Sequence, residues 1–235
     1  MKLRFRGYSL FVAVLTLGVA TAGLATSGVL AQAIGQSGKA APNPEAGLTD
    51  SQREAIHAAA HARNAAYLAN FVAQHRDPHS LPVVWVDDWA APPPTLQAAA
   101  RAAQVIVLGQ VLGVDFAENP SGGLPIATTR VQVARAIKGQ APSVVSVTQL
   151  GGPVAQAQGG ALAELSSDEL VLPGDQVVLL LTRPSAGGPL RTVTGGGVYF
   201  IRGGVIAGES GEFYKVTGQS ADQFIAELTT AAKSK

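Results

Sequence analysis

The stretch from Gln104 to Gly139 limits the fold of this chain more than any other. It opens as Gln104-Val-Ile-Val-Leu-Gly-Gln-Val-Leu-Gly-Val-Asp-Phe116, apolar and β-branched on both faces, as a strand covered on both sides must be. After a loop, Thr128-Thr-Arg-Val-Gln-Val-Ala-Arg-Ala-Ile-Lys-Gly139 alternates. Thr129, Val131 and Val133 point one way, Arg130 and Gln132 the other, the period of a strand with one wet face. Two such neighbours nucleate a β domain.

The chain beyond them continues in short strands. Ser143–Leu150 places Val145 and Val147 on one face, and Gly151-Gly152-Pro153 is expected to stop it. Residues 151–173 then read as a long Gly/Ala/Gln loop with a turn of helix near Ser167-Asp-Glu-Leu170, and loops of that length are often functional. Pro173-Gly174 turns into Asp175–Thr182, whose Val177-Val-Leu-Leu-Leu181 must be buried. Glycine pairs separate Leu190–Thr194, Val198–Ile201 and Val205–Ala207, and Gly195-Gly-Gly197 marks a bend or bulge before a strand. Thr95 caps a short helix from Leu96, and Ser220 with Gln223 caps a last one to about Ala232, with Phe224, Ile225 and Leu228 as its apolar face. Six or seven strands between helical flanks resolve their exposed edges best as a small, partly closed barrel over residues 95–235.

The N-terminal third is built differently. Lys2, Arg4 and Arg6 precede the apolar run Leu10–Ala20, and small residues at Ala31 and Ala33 fit signal-peptidase cleavage after Ala33. Gly7 to Ala31 is also long enough to remain as an uncleaved membrane anchor. Either reading of residues 1–33 places the body outside the cytoplasm, secreted or anchored, because the positive end stays inside. Residues 34–50 read as a linker. Ser51 and Glu54 form a capping box for an amphipathic helix over 51–77, with Ile56, Ala60, Tyr67 and Phe71 as its stripe and Asp77-Pro78 as its stop. Residues 78–94, with five prolines around Val83-Val-Trp-Val-Asp-Asp-Trp89, read as an extended Pro-rich crossing.

Chemistry is sparse. Cysteine is absent, which removes disulfides, thiolate metal sites and a Cys nucleophile. Three of the 17 basic residues sit in the leader, leaving 14 against 16 acidic ones, with no basic stripe for nucleic acid. His57 and His61 have metal-ligand spacing on a helix, but no Glu follows His57 and no third ligand lies nearby, so no metal is expected. From Ser80 onward there is no His, which excludes a Ser-His pair within the barrel. No phosphate or dinucleotide motif is present, so no cofactor is expected.

Four residues stand out as candidate ligand contacts. Trp85 and Trp89 make either a stacking platform for sugar or peptide or a staple for the crossing. Glu209 and Glu212 flank Ser210-Gly211 near Tyr199, Phe200, Phe213 and Tyr214, where a solvated turn is the plainer reading of a carboxylate pair. The expectation is an exported, non-enzymatic binding module for a protein or polysaccharide at the envelope, acting through loops 117–125 and 151–173. The alternatives are an extracellular hydrolase using carboxylates, such as Glu209 with Asp175, and a peptidase-inhibitor-like protein acting by loop insertion.

Several segments share a pattern with a known family. Ala103-Gln-Val-Ile-Val-Leu-Gly-Gln-Val111 resembles the opening strand of the netrin-like modules and tissue inhibitors of metalloproteinases. Thr129-x-Val131-x-Val133, Ile137-Lys138-Gly139 and Gly174-Asp175-x-x-Val178-Leu-Leu-Leu181 resemble their later strands. The resemblance covers roughly residues 100–208. It implies a mainly β fold: a small, partly closed barrel of the oligonucleotide/oligosaccharide-binding (OB) type, here with an N-terminal amphipathic helix and a C-terminal helix. Those inhibitors chelate zinc through an N-terminal Cys, which this chain lacks, so that mechanism does not carry over.

Overall fold

A computed structural model describes residues 47–86, 91–156 and 159–233. Helix α1 spans Asp50–Ala73, and a single 3-10 turn, Pro78–Ser80, leads to β1 (Val83–Val86) and α2 (Leu96–Ala102). The sheet continues with β2 (Val105–Ala117), β3 (Ile126–Lys138), β4 (Val144–Gln156), β5 (Gly159–Leu165), β6 (Gln176–Thr182), β7 (Arg191–Thr192), β8 (Val198–Arg202) and β9 (Val205–Ala207). Helices α3 (Glu209–Phe213) and α4 (Ala221–Lys233) follow. The fold is mainly β: one strongly curled nine-stranded sheet, half a barrel or more, with α4 packed on it.

Curling has a visible cause. The strand order is β1-β5-β4-β3-β2-β6-β8-β9, with β7 also on β6. Three register shifts between β2 and β3 bend and twist the longest hairpin. At Gly109 the two backbones come so close that a Cβ would lie 2.5 Å from the Gln132 carbonyl. The bend carries the residue ahead of β7 round to β4, where Val147 and Leu190 form a parallel bridge and the Thr148 N–H donates to the Leu190 carbonyl at 2.8 Å. Strands β4-β3-β2-β6-β7 therefore return to their starting strand, the OB-type order in which the third and fifth strands run parallel.

Double burial works as the alternation requires. On β6, Val178 and Leu180 join a core with Ala99, Ala100, Tyr199, Phe224 and Leu228 under α2 and α4. Val177, Leu179 and Leu181 point into the barrel with Val107, Val131, Val147 and Val171. Ile106 and Val107 divide β2 between the same two cores. Lys138 donates to the carbonyls of Ala100 at 2.8 Å and Ala103 at 2.5 Å, capping the C-terminus of α2. Gly139 beside it takes φ +69, where a side chain would be strained and its Cβ would meet the Gln104 carbonyl at 2.5 Å.

Three expectations change. The N-cap of α1 is Thr49, paired with Gln52, two residues ahead of the Ser51–Glu54 box. The earlier start puts Asp50 in the first turn, where it favours the helix dipole and pairs with Arg53 at 2.6 Å. The crossing over 78–94 contains an edge strand, β1, which runs parallel to β5. Residues 151–173 are not one loop: β4 runs through Gly151-Gly152-Pro153 and β5 follows. Pro153 falls where β4 has left β3 and pairs with β5 alone, so its missing N–H breaks no bond on the β3 side.

The third cluster seats α1. Phe71 packs with Leu81, Ala127, Leu162, Leu170 and Leu172, and Tyr67 borders them. Tyr67 lies over Gly160, which has no room for a Cβ, and its buried hydroxyl has no hydrogen-bond partner among the described residues. An orphaned buried hydroxyl is a desolvation loss, so Tyr67→Phe should raise stability by about 1 kcal/mol. Urea denaturation checks this, and a clear loss of stability would show that the hydroxyl has a partner in solution. No helix among the described residues is long and apolar enough to cross a membrane. The expected leader, with its 7–31 segment, lies outside them.

Candidate functional site

Strands β1, β5 and the outer half of β4 form a wing beyond the barrel, and each of its faces carries a concavity. On one face a groove of about 520 Å³ lies between the first half of α1 and the β4–β5 hairpin. Val84, Val154 and Ala163 of the sheet, Ala58 and Ala60 of α1 and Leu124 of the 118–125 loop supply its apolar lining. Polar groups come mostly from the helix, as Glu54, His57, His61, Arg63 and Asn64, with Gln156 added from β4. His61 lies 3.1 Å from Glu118, an ion pair when the imidazole is protonated, and so ties α1 to the loop that forms the lip. Asn64 accepts from the Ala155 N–H at 3.3 Å and fixes the helix against β4. Among the described residues Arg63 makes no ion pair, and no three His, Asp or Glu side chains gather as a metal-holding group.

The opposite face holds a smaller pocket of about 190 Å³, bordered by Val83 and Trp85 of β1, Leu162 and Glu164 of β5, and Glu169, Leu172 and Asp175 of the segment that follows. Glu164 is 6% exposed. Burial, reinforced by the neighbouring Glu169 and by Asp175 and Asp168, raises its pKa from 4.5 to about 7, against the opposing pull of a hydrogen bond from the Leu170 N–H. Asp175 accepts from the Leu172 N–H at 2.8 Å. His79 Nε2 lies 3.1 Å from the Pro173 carbonyl at the rim. Arg202 borders the same pocket and lies over the Phe200 ring, 4.9 Å from its centroid.

A buried polar network holds the floor. Asp168 accepts from Gln149 Nε2 at 3.2 Å and from Thr192 Oγ1 at 2.7 Å. Gln149 Oε1 accepts from the Val171 N–H at 3.2 Å, and Thr129 donates to the Val171 carbonyl at 3.3 Å. These bonds pin residues 168–172 across β3, β4 and β7, and Leu170, Val171 and Leu172 are buried there. A turn takes the place of the expected helical turn near Ser167–Leu170.

The sequence candidates separate. Trp85 is 45% exposed on β1 and walls the acidic pocket. Trp89 lies outside the described residues. Glu209 begins α3, and its side chain is likewise outside the description; Glu212 is exposed on the same short helix and does not border the acidic pocket. Asp175 meets Glu164, a residue the sequence did not single out. Its signal was one carboxylate inside the apolar run Ala161-Leu-Ala-Glu-Leu165, legible only once that run is known to be a strand. The 118–125 loop does border the groove. The chain matches no protein-family model, and no curated protein matches it either.

Proposed function

We propose that this chain is an exported, non-enzymatic binding module, and that the groove between α1 and the β4–β5 hairpin is its ligand site. The leader supports export, and the OB-type strand order fits the netrin-like resemblance. The groove carries the reading: its apolar lining comes from the sheet, α1 and the 118–125 loop and its polar groups mostly from α1, the usual build of a small-molecule site of this size. Among the described residues no Phe, Tyr or Trp lines it, which favours an aliphatic body over a stacked sugar. Arg63 and Glu54 are separated by about 13 Å along the helix axis, so one end is basic. The ligand class that fits is an aliphatic monocarboxylate, its chain in the groove and its head near Arg63 and His61.

A fluorescent C16 carboxylate titrated into the purified chain tests this. Saturable binding is expected, weakened at least tenfold by Val154→Trp, which fills the groove, and several-fold by Arg63→Glu. No binding, or binding that neither substitution changes, would remove the proposal. One observation favours the hydrolase alternative as a second reading: the near-neutral Glu164 beside Asp175, under the Trp85 wall, has the environment of a general acid. Release of reducing ends from envelope polysaccharide, lost in Glu164→Gln, would support it.

A further inference from the structure

We propose that the outer edge of β1 receives an extended, basic segment of a partner protein, one of whose Lys or Arg side chains crosses β1 beside Trp85 into the pocket that holds Glu164. This surface is independent of the groove, on the other face of the wing.

The edge is the first observation. Among the described residues β1 pairs with β5 alone and ends the sheet. The carbonyls of Pro82 and Val86 accept from Leu162 and Ser166 on β5, both at 2.9 Å. In a parallel ladder alternate residues face the same neighbour, so Val83 and Trp85 turn their N–H and C=O groups outward. Their side chains are 46% and 45% exposed. The edge is short, four residues after Pro82, but Val83-Val-Trp-Val86 itself carries no Lys and no Pro to blunt it. It is the geometry that strand addition uses.

Charge selects the occupant. Glu164 and Asp175 border the pocket under Val83 and Trp85 and neither makes an ion pair among the described residues, while Arg202 and His79 lie at its rim. Trp85 pairs in register with Glu164, so the carboxylate lies one strand inward from β1. An added strand would sit two spacings from β5, roughly 9–10 Å. Long Lys and Arg stems carry a charge over that reach, their apolar length lying on Trp85. A second copy of this chain fits poorly, because pairing β1 with β1 would bring two acidic pockets together.

The test is fluorescence anisotropy at pH 8 with the full chain and two labelled heptapeptides, Val-Lys-Val-Lys-Val-Lys-Val and its Glu counterpart. The Lys peptide should bind at least tenfold more tightly than the Glu peptide, and added salt should weaken it. Glu164→Gln should reduce that affinity at least tenfold, and Val83→Pro, which removes an outward N–H while leaving the β5 ladder intact, should do the same. Both variants are checked for an unchanged circular dichroism spectrum. Equal binding of the two peptides, no binding of either, insensitivity to both substitutions, or dimerisation through β1 would each overturn the proposal.

Discussion

Asp168→Ala is expected to lower stability by about 2–3 kcal/mol. Asp168 is 8% exposed and accepts hydrogen bonds from both Gln149 and Thr192. An alanine would strand the Thr192 hydroxyl and one of the two Gln149 amide hydrogens, the other staying on the Glu169 carbonyl, and a stranded group carries a desolvation loss of about 1–3 kcal/mol. Gln149 would keep its bond to the Glu169 carbonyl at 2.8 Å and so its orientation toward the Val171 N–H. Thr192→Val deletes one donor together with its need for a partner and should cost about 1 kcal/mol. Urea midpoints at constant slope measure both. An Asp168→Ala variant within 0.5 kcal/mol of the parent would mean that the network contributes far less than mutational series suggest.

Much of the barrel was legible because its strands obey period two under double burial. Val177–Leu181 could be read as buried from composition alone, and both cores of β6 confirm it. Phe224, Ile225 and Leu228 on α4 were legible from helical spacing. Local signals failed where tertiary contacts decide. Gly151 and Gly152 read as a stop because glycine weakens a strand. In the fold they mark close approach: a Cβ on Gly151 would lie 2.6 Å from the Ala163 carbonyl, and one on Gly152 would lie 2.9 Å from the Phe116 ring. β1 was hidden among prolines because its pairing partner, β5, comes some eighty residues later. Thr49–Gln52 and Ser51–Glu54 offered one capping pattern in two registers, and the first-turn acid separates them only after the fact.

The candidate sites divide the same way. The 118–125 lip of the groove could be anticipated as a loop between two long strands. The acidic pocket could not, because it joins His79, Trp85, Glu164, Glu169, Asp175 and Arg202 from the 3-10 turn, β1, β5, the following segment and β8. No spacing rule links those positions. The carboxylate alternative was weighed on Glu209 with Asp175, whereas the carboxyl whose pKa is raised by burial and neighbouring carboxylates is Glu164.

Glu164→Gln is expected to be more stable than the parent at pH 8, by about 3 kcal/mol, and close to it at pH 4.5. The folded protein holds the Glu164 proton up to about pH 7, whereas the unfolded chain releases it near 4.5. Between those values the folded state binds more protons, so this residue's contribution is fully present below pH 4.5 and is lost as pH rises through 7. Glutamine keeps an acceptor for the Leu170 N–H and carries no charge to desolvate. The difference between variant and parent cancels titrations elsewhere, leaving the groups that face Glu164: Glu169, Asp175 and Asp168 on the following segment, His79 on the 3-10 turn and Arg202 on β8. Urea denaturation of both proteins from pH 4.5 to 8 gives the curve, and a difference that does not grow with pH would show that Glu164 is not desolvated in solution. A carboxylate held at such a cost implies a gain elsewhere. An incoming cation would supply it by restoring the ionised form, so the Lys-bearing peptide should protect the parent most above pH 7 and leave Glu164→Gln unchanged.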